Sequence, residues 1–141
     1  MKICFGTHRL NFEDKQSPKL IELALSSGCT TIVNSSLVNY DKYEEIIGSL
    51  LDDNKSLKPT IISKGGILSN LDKKQFLKNF NIKEDEKNDY FPFENFPLFS
   101  LDEKVLTFQI NNSMKRLKKE TLDVFIIQYP EQYLNEGFMN Q

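Results

Sequence analysis

The chain has 141 residues, of which 39% are hydrophobic, and its 18 basic side chains nearly balance its 20 acidic ones. This length suits one domain with a moderate core, and the balance of charge gives no reason to expect nucleic acid or an anionic membrane as a partner. No apolar run approaches the roughly 20 residues of a membrane span, and the apolar part of the amino terminus is too short for a signal peptide. We therefore expect a soluble cytoplasmic protein.

Four short apolar runs with strand character alternate with helical patterns along the chain. The predicted strands cover 2–5, 29–33, 59–63 and 122–127, and the predicted helices cover 19–27, 43–51 and a segment that begins after Ser100. Ser17 is expected to cap the first helix, and Ser100 with Glu103 the third. In the third helix an apolar face is predicted, formed by Leu106, Ile110, Met114 and Leu117. This alternation indicates βαβ units and a parallel sheet.

The segment 66–99 interrupts the alternation after the third strand. It holds a helical pattern near 71–80, a charged run, and an aromatic stretch at 90–99. We interpret it as an insertion within a single domain that spans 1–141. The aromatic stretch is expected to fold back over the sheet, and a flap beside a substrate or an association surface are the alternatives.

The two cysteines, Cys4 and Cys29, both lie inside apolar segments with strand character. Free cysteine in that setting behaves as a small buried hydrophobe, and two cysteines do not make a disulfide framework. We therefore predict two core thiols in a reducing compartment. A nucleophile–base pair of Cys4 with His8 is the alternative, and the apolar setting of Cys4 disfavours it. The single histidine gives no reason to expect a metal site.

Polar residues stand at the carboxyl ends of three successive predicted strands. These residues are Asn34, Lys64 and Gln128. Because side chains alternate along a strand, each of them shares a face with an aliphatic residue two positions earlier. Parallel α/β folds bind their ligands at this edge of the sheet, so the pattern predicts a site there. The alternative is that the two amides cap loops and the lysine extends into solvent.

Short motifs in a fixed order resemble the aldo-keto reductases. The stretch 40–48, with the sequence YDKYEEIIG, is similar to the Tyr-Gly-x-Ser-Glu-x-x-Leu-Gly stretch of that family. Further similar motifs follow the family's order: Gly6-Thr7-His8-Arg9-Leu10, Ile61 to Gly65, Ser113 to Leu117, Leu122-Asp123 and Gln128 to Pro130. The resemblance runs from about residue 2 to residue 130.

The resemblance implies a (β/α)8 barrel of the TIM type, of which this chain would supply the first half, with about four parallel strands and their helices. It also implies an enzyme that reduces an aldehyde or ketone with NADPH or NADH, usually the phosphorylated form. Carried over by position, the catalytic group is Tyr40, Lys64, Asn34 and Gln128, and the cofactor contacts are Gly6, Thr7 and His8. Asn34 stands where the family has Asp, and Gln128 stands where it has His.

These residues suggest how such a reduction would proceed. Tyrosine has an unperturbed pKa of about 10, and a nearby lysine ammonium lowers it, which makes the Tyr40 phenol a better proton donor. Asn34 can hold Lys64 only through a neutral hydrogen bond, which is weaker than a charge-assisted one. The amide of Gln128 can orient a carbonyl oxygen, but it does not titrate.

A complete barrel of this type takes roughly 200 residues at the least. The chain is therefore interpreted as a fragment, a truncated product, or a half-barrel that associates with itself or with a missing second half. We expect the isolated chain to be poorly active or inactive. A non-catalytic binding or regulatory member of the family and an inactive remnant are the alternatives to an active reductase.

Overall fold

The computed structural model of the chain describes residues 3–11, 13–14, 16–34, 40–68, 70–83, 85–90, 98–128 and 130. The elements in these ranges are, in order, β1 (Cys4–Gly6), α1 (Ser17–Ser26), β2 (Thr31–Val33), α2 (Tyr40–Asp53), β3 (Thr60–Gly65), β4 (Ile67–Leu68), α3 (Asn70–Asn79), a 3-10 turn (Lys87–Asp89), β5 (Leu98–Phe99), α4 (Glu103–Leu117) and β6 (Val124–Ile127). No helix in these ranges is long and apolar enough to cross a membrane.

A parallel four-stranded sheet with helices forms the framework, in the order β1-β2-β3-β6. Cys4 pairs with Thr31 and Thr31 with Thr60, and both pairings are parallel. The α/β class and the parallel sheet predicted from the alternation are confirmed. Each predicted strand is present, with its ends displaced by a residue or two.

The chain divides into two compact units. The first takes its described residues from Met1–Lys64 and Asn111–Ile126, and the second from Gly65–Ile110 and Ile127–Gln141. Aliphatic side chains of three helices and two strands form the core of the first unit, and they are Ile21, Leu25, Ile32, Ile47, Ile61 and Leu117. Each such side chain stabilises the fold by about 1.5–3 kcal/mol when it leaves water.

Helices α2 and α4 approach each other closely at Gly48. A β-carbon built on Gly48 would lie 2.2 Å from the carbonyl oxygen of Arg116 and 2.9 Å from the backbone of Leu117. Any side chain at this position would therefore collide with the backbone of α4. The glycine allows the two helices to pack in the first unit with their backbones almost in contact.

The helix starts differ from the capping predicted from the sequence. Helix α1 already includes Ser17, and the residue before it, Gln16, forms no capping side-chain hydrogen bond. The Ser17 hydroxyl instead donates to the carbonyl oxygen of Asn11. At the start of α4, the carboxylate of Asp102 accepts hydrogen bonds from the backbone N–H groups of Lys104 and Val105. The hydroxyl oxygen of Ser100 accepts a hydrogen bond from the backbone N–H of Asp102. The predictions of Ser17 and Ser100 as caps are therefore wrong.

The second unit contains a small antiparallel sheet that the sequence did not predict. Its strands β4 and β5 pair Ile67 with Phe99. The helix predicted near 71–80 is present as α3, and a separate apolar cluster forms from Leu68, Phe76, Val105 and Phe108. Residues 91–97 of the aromatic stretch lie outside the described residues, so its predicted path over the sheet stays a prediction.

The prediction of two core thiols is wrong. Cys4 is exposed and Cys29 is half-buried, and both are free. Strand β1 lies at the edge of the sheet, and its Phe5 packs against the core. Because side chains alternate along a strand, Cys4 points to the opposite face from Phe5. The thiol of Cys29 donates to the carbonyl oxygen of Ile3, 3.0 Å away.

Candidate functional site

A buried polar pair lies at the carboxyl ends of β1 and β2. The hydroxyl of Thr7 donates to the side-chain oxygen of Asn34 at 3.1 Å, and these two residues are at most 1% exposed. Their backbones extend the sheet, because Thr7 N–H donates to Val33 and Asn34 N–H donates to Ile62. Leaving a buried amide oxygen without a donor would cost about 1–3 kcal/mol, so the Thr7 hydroxyl stabilises Asn34 in this position.

Lys64 occupies the same edge of the sheet, near the end of β3, and it is half-buried. No ion pair between residues that the structure describes includes its ammonium. The structure therefore brings Asn34 together with Thr7 and gives Lys64 no carboxylate partner in the described part of the chain. The lack of a carboxylate beside Lys64 is consistent with a neutral asparagine at position 34.

Tyr40 is the first residue of α2, but its side chain lies outside the described residues, as does the segment 35–39 that leads to it. Its predicted role next to Lys64 therefore stays a prediction. Gly6 and His8 are exposed, and a β-carbon added to Gly6 would meet no atom within 4 Å. In the described part of the chain, no three His, Cys, Asp or Glu side chains converge to hold a metal ion.

Gln128 follows β6 along the chain and belongs to the second unit. Its backbone N–H donates to the carbonyl oxygen of Gly65 at 2.9 Å. The turn after Gly65 is fixed by Gln109, whose buried side chain accepts the N–H of Gly66 at 2.9 Å and donates to Ile67 at 2.8 Å. Gly66 has a φ of +90°, which glycine adopts without strain. Sequence reasoning missed Gln109, and its only signal was a polar residue within the pattern of an amphipathic helix.

A buried carboxylate connects three elements of the first unit. Glu44 in α2 accepts hydrogen bonds from the hydroxyls of Ser63 in β3 and Ser113 in α4, the first at 3.0 Å. Its second oxygen accepts Nε of Arg116 at 2.8 Å. Glu44, Ser113 and Arg116 all lie in the motifs on which the resemblance was based, as does Gly48. In this structure these motif residues hold α2, β3 and α4 together.

Another motif residue, Asp123, acts at the amino-terminal end of the sheet. Its carboxylate accepts the backbone N–H of Ile61 at 2.9 Å and the ammonium of Lys119 at 2.6 Å. Partial burial raises the pKa of Asp123, but the hydrogen bonds from Lys119 and Ile61 outweigh this effect and keep the pKa below its ordinary value. The ionised carboxylate therefore joins the segment before β6 to β3.

No protein-family model matches the sequence, and no curated protein matches it either. Among solved structures, the chain is similar to the aldo-keto reductase AKR11C1 from Bacillus halodurans in its holo form, with a TM-score of 0.66 and 12% identity over 96% of this chain. The matched part is 39% of that reductase. At this identity the likeness shows the fold, which is a partial TIM-barrel-like fold of the kind that aldo-keto reductases have.

Proposed function

We propose that the chain supplies part of the active site of a cytoplasmic aldo-keto reductase, which reduces an aldehyde or ketone with NADPH or NADH. The fold similarity to a holo aldo-keto reductase carries this proposal. Its support within the chain is the position of Asn34 and Lys64 at the carboxyl ends of neighbouring parallel strands, β2 and β3. Parallel α/β folds bind their substrates at this edge.

A nicotinamide held at the end of β1 would supply the hydride that the carbonyl carbon needs. The phenol of Tyr40 gives its proton to the carbonyl oxygen, so that an alcohol and the oxidised cofactor result. Lys64 lowers the pKa of Tyr40 and so favours this proton transfer. The side-chain amide of Gln128 orients the carbonyl oxygen. Asn34 stays neutral and is held by Thr7.

The residues at the end of β1 fit a cofactor in part. Gly6 has open space where a side chain would stand, and His8 is exposed, so both can contact a bound molecule. Thr7 is fully buried, and its hydroxyl is engaged by Asn34. We therefore propose Gly6 and His8 as direct cofactor contacts, and a supporting role for Thr7 through Asn34.

A second candidate is a protein that binds a nicotinamide or a carbonyl compound without turning it over. Two observations favour it. Asn34 is neutral and already engaged by Thr7, and Lys64 has no carboxylate partner in the described ranges. Both features weaken proton transfer to a carbonyl oxygen. They leave intact the ability to bind a ligand through hydrogen bonds and complementary shape.

The test begins with titration of the purified chain with NADPH, followed by single-turnover measurements with saturating NADPH and a set of simple aldehydes. For a reductase, Tyr40→Phe should slow hydride transfer by about 10²–10⁴-fold, because it removes the general acid, and leave NADPH affinity nearly unchanged. Lys42→Met, which removes an exposed lysine of the same helix, is the control. Even slow turnover that Tyr40→Phe abolishes would support the reductase, and binding of NADPH or an aldehyde without any turnover would favour the second candidate. Binding of neither NADPH nor any of the aldehydes would contradict both.

A further inference from the structure

A cavity of about 370 Å³ opens in the first unit at the amino-terminal ends of β3 and β6, away from the strand ends that carry Asn34. Apolar residues form its floor, among them Leu51, Leu57, Pro59 and Leu117. Charged residues form its rim, and they are Asp52, Lys55, Lys58, Lys118, Lys119 and Asp123. We call it the lysine cavity. Its volume lies in the range of pockets that hold small molecules, roughly 300–1,000 Å³.

The rim of the lysine cavity carries more positive than negative charge. Asp52 pairs with the ammonium groups of both Lys55 and Lys118, the latter at 3.1 Å, and Asp123 pairs with Lys119. Lys58 is exposed and forms no ion pair with any residue that the structure describes. Helices α2 and α4 end nearby, and their carbonyl ends offset part of the excess. A cationic rim therefore remains above an apolar floor.

The backbone conformation at Lys118 is a second unusual feature of the lysine cavity. Lys118 directly follows the last residue of α4 and has a φ of +54°, a left-handed conformation that glycine or asparagine usually supplies at helix ends. Ending the helix does not require a lysine there. A lysine at this point places its ammonium at the cavity rim, within reach of Asp52.

We propose that the lysine cavity binds a small phosphate monoester. Lysine ammonium groups are well suited to phosphate as point charges. The phosphate would contact Lys58 and Lys118, and the organic part of the ligand would rest on Leu51 and Leu57. This site is separate from the proposed carbonyl-reducing site and does not depend on it.

Asp52 competes with the ligand in this proposal. Without the ligand, its carboxylate holds Lys55 and Lys118. A phosphate, which carries up to two negative charges, must take over these ammonium groups and tolerate the carboxylate. Removing the charge of Asp52 should therefore tighten phosphate binding, whereas it would loosen a rim that exists only to stabilise the fold.

The experiment titrates the full chain with phenyl phosphate at low salt, using calorimetry, and repeats the titration with inorganic phosphate. We expect phenyl phosphate to bind more tightly than phosphate. Asp52→Asn should tighten phenyl phosphate binding by about fivefold, and Lys58→Met and Lys118→Gly should each weaken it by at least about fivefold, as expected for one charge pair near a surface. Lys118→Gly suits the left-handed backbone, so this variant keeps the helix end.

Lys42→Met, which removes a lysine at the other end of α2, is the matched control and should leave the affinity unchanged. The proposal fails if phenyl phosphate does not bind, if Lys58→Met and Lys118→Gly bind it like the parent, or if Asp52→Asn does not bind it more tightly. Equal affinity for phosphate and phenyl phosphate would contradict a monoester ligand. A melting temperature of Lys118→Gly at or above that of the parent verifies that lost binding does not reflect lost structure.

Discussion

Two ion pairs join helix α2 to the carboxyl-terminal end of α4, one through Arg116 within the helix and one through Lys118 directly after it. The two pairs differ mainly in their exposure to water. Glu44 and Arg116 meet at 2.8 Å with side chains that are 1% and 15% exposed. Asp52 and Lys118 meet at 3.1 Å with side chains that are 42% and 49% exposed. The distances between the paired atoms are similar in the two ion pairs. Their energetic weight differs, because water and salt screen the second pair and are nearly excluded from the first.

The buried pair also belongs to a larger polar network, whereas Asp52 of the exposed pair has one further partner, the exposed ammonium of Lys55. Glu44 accepts bonds from two serine hydroxyls as well as from Arg116. A network of this kind fixes the relative position of α2, β3 and α4, because the carboxylate is satisfied in only one arrangement. The exposed pair can exchange its partners for water. We therefore expect the single packing arrangement of α2, β3 and α4 to depend on Glu44 and not on Asp52.

The largest effect in this comparison is expected from Glu44→Gln. Removal of one charge from a buried pair should lower the free energy of unfolding by about 3 kcal/mol, because the guanidinium of Arg116 then faces a neutral amide in a poorly solvated site. Denaturant unfolding measures this value. The double variant Glu44→Gln with Arg116→Met should be less destabilised than the two single changes added together. If Glu44→Gln lowers the free energy of unfolding by less than about 1 kcal/mol, the buried pair contributes no more to stability than an exposed ion pair does.

The next effect concerns Gly48, which sets the spacing of the helices that both pairs connect. Helix propensity alone predicts that Gly48→Ala stabilises α2 by about 1 kcal/mol. The close approach to Arg116 predicts the reverse, since a β-carbon would lie 2.2 Å from a backbone oxygen. We expect the collision to outweigh the gain in helix propensity, so that the free energy of unfolding of the variant falls by about 2 kcal/mol. Ser49→Ala, on the exposed side of the same helix, is the control and should be neutral or slightly stabilising.

The smallest effect is expected from Asp52→Asn. The hydrogen bond from Lys55, followed by that from Lys118, lowers the pKa of Asp52 below its ordinary value. A lowered folded-state pKa means that the ionised carboxylate stabilises the protein above about pH 4, and that this contribution is lost as the pH falls through the folded-state pKa. Melting curves of parent and variant should differ slightly at pH 7 and converge in acid or in 1 M salt. A difference that persists in high salt would show that this pair resists screening.

The sheet could be predicted because its signals are local. Each strand is a short run of β-branched and aliphatic residues, and the alternation with helices defines a parallel sheet with few alternatives. The shared face of Asn34 and Ile32 also follows from the sequence, because residues two apart lie on the same side of a strand, and both side chains are buried. Local pattern therefore sufficed for the class of the fold, while the role of Asn34 in a site stays a prediction.

The buried face of α4 could not be predicted, because it is partly polar. Apolar spacing favoured Leu106, Ile110 and Met114, which are only half-buried, while Gln109 and Ser113 are buried. Their partners, the turn at Gly66 and the carboxylate of Glu44, are distant in sequence. Periodicity treats a polar residue as solvent-facing, and only tertiary partners can reverse that assignment. Self-association, and the pairing of the chain with a second half, stay predictions.

The two cysteines make the edge of the sheet chemically observable. Cys4 in β1 is open to a thiol reagent, whereas Cys29 is half-buried, with its thiol directed at the carbonyl oxygen of Ile3. Alkylation of Cys4 therefore proceeds on the folded protein, and alkylation of Cys29 is faster whenever its hydrogen bond to Ile3 at this edge opens. The ratio of the two rates measures how often this edge opens, so the native chain reports local unfolding without any introduced label.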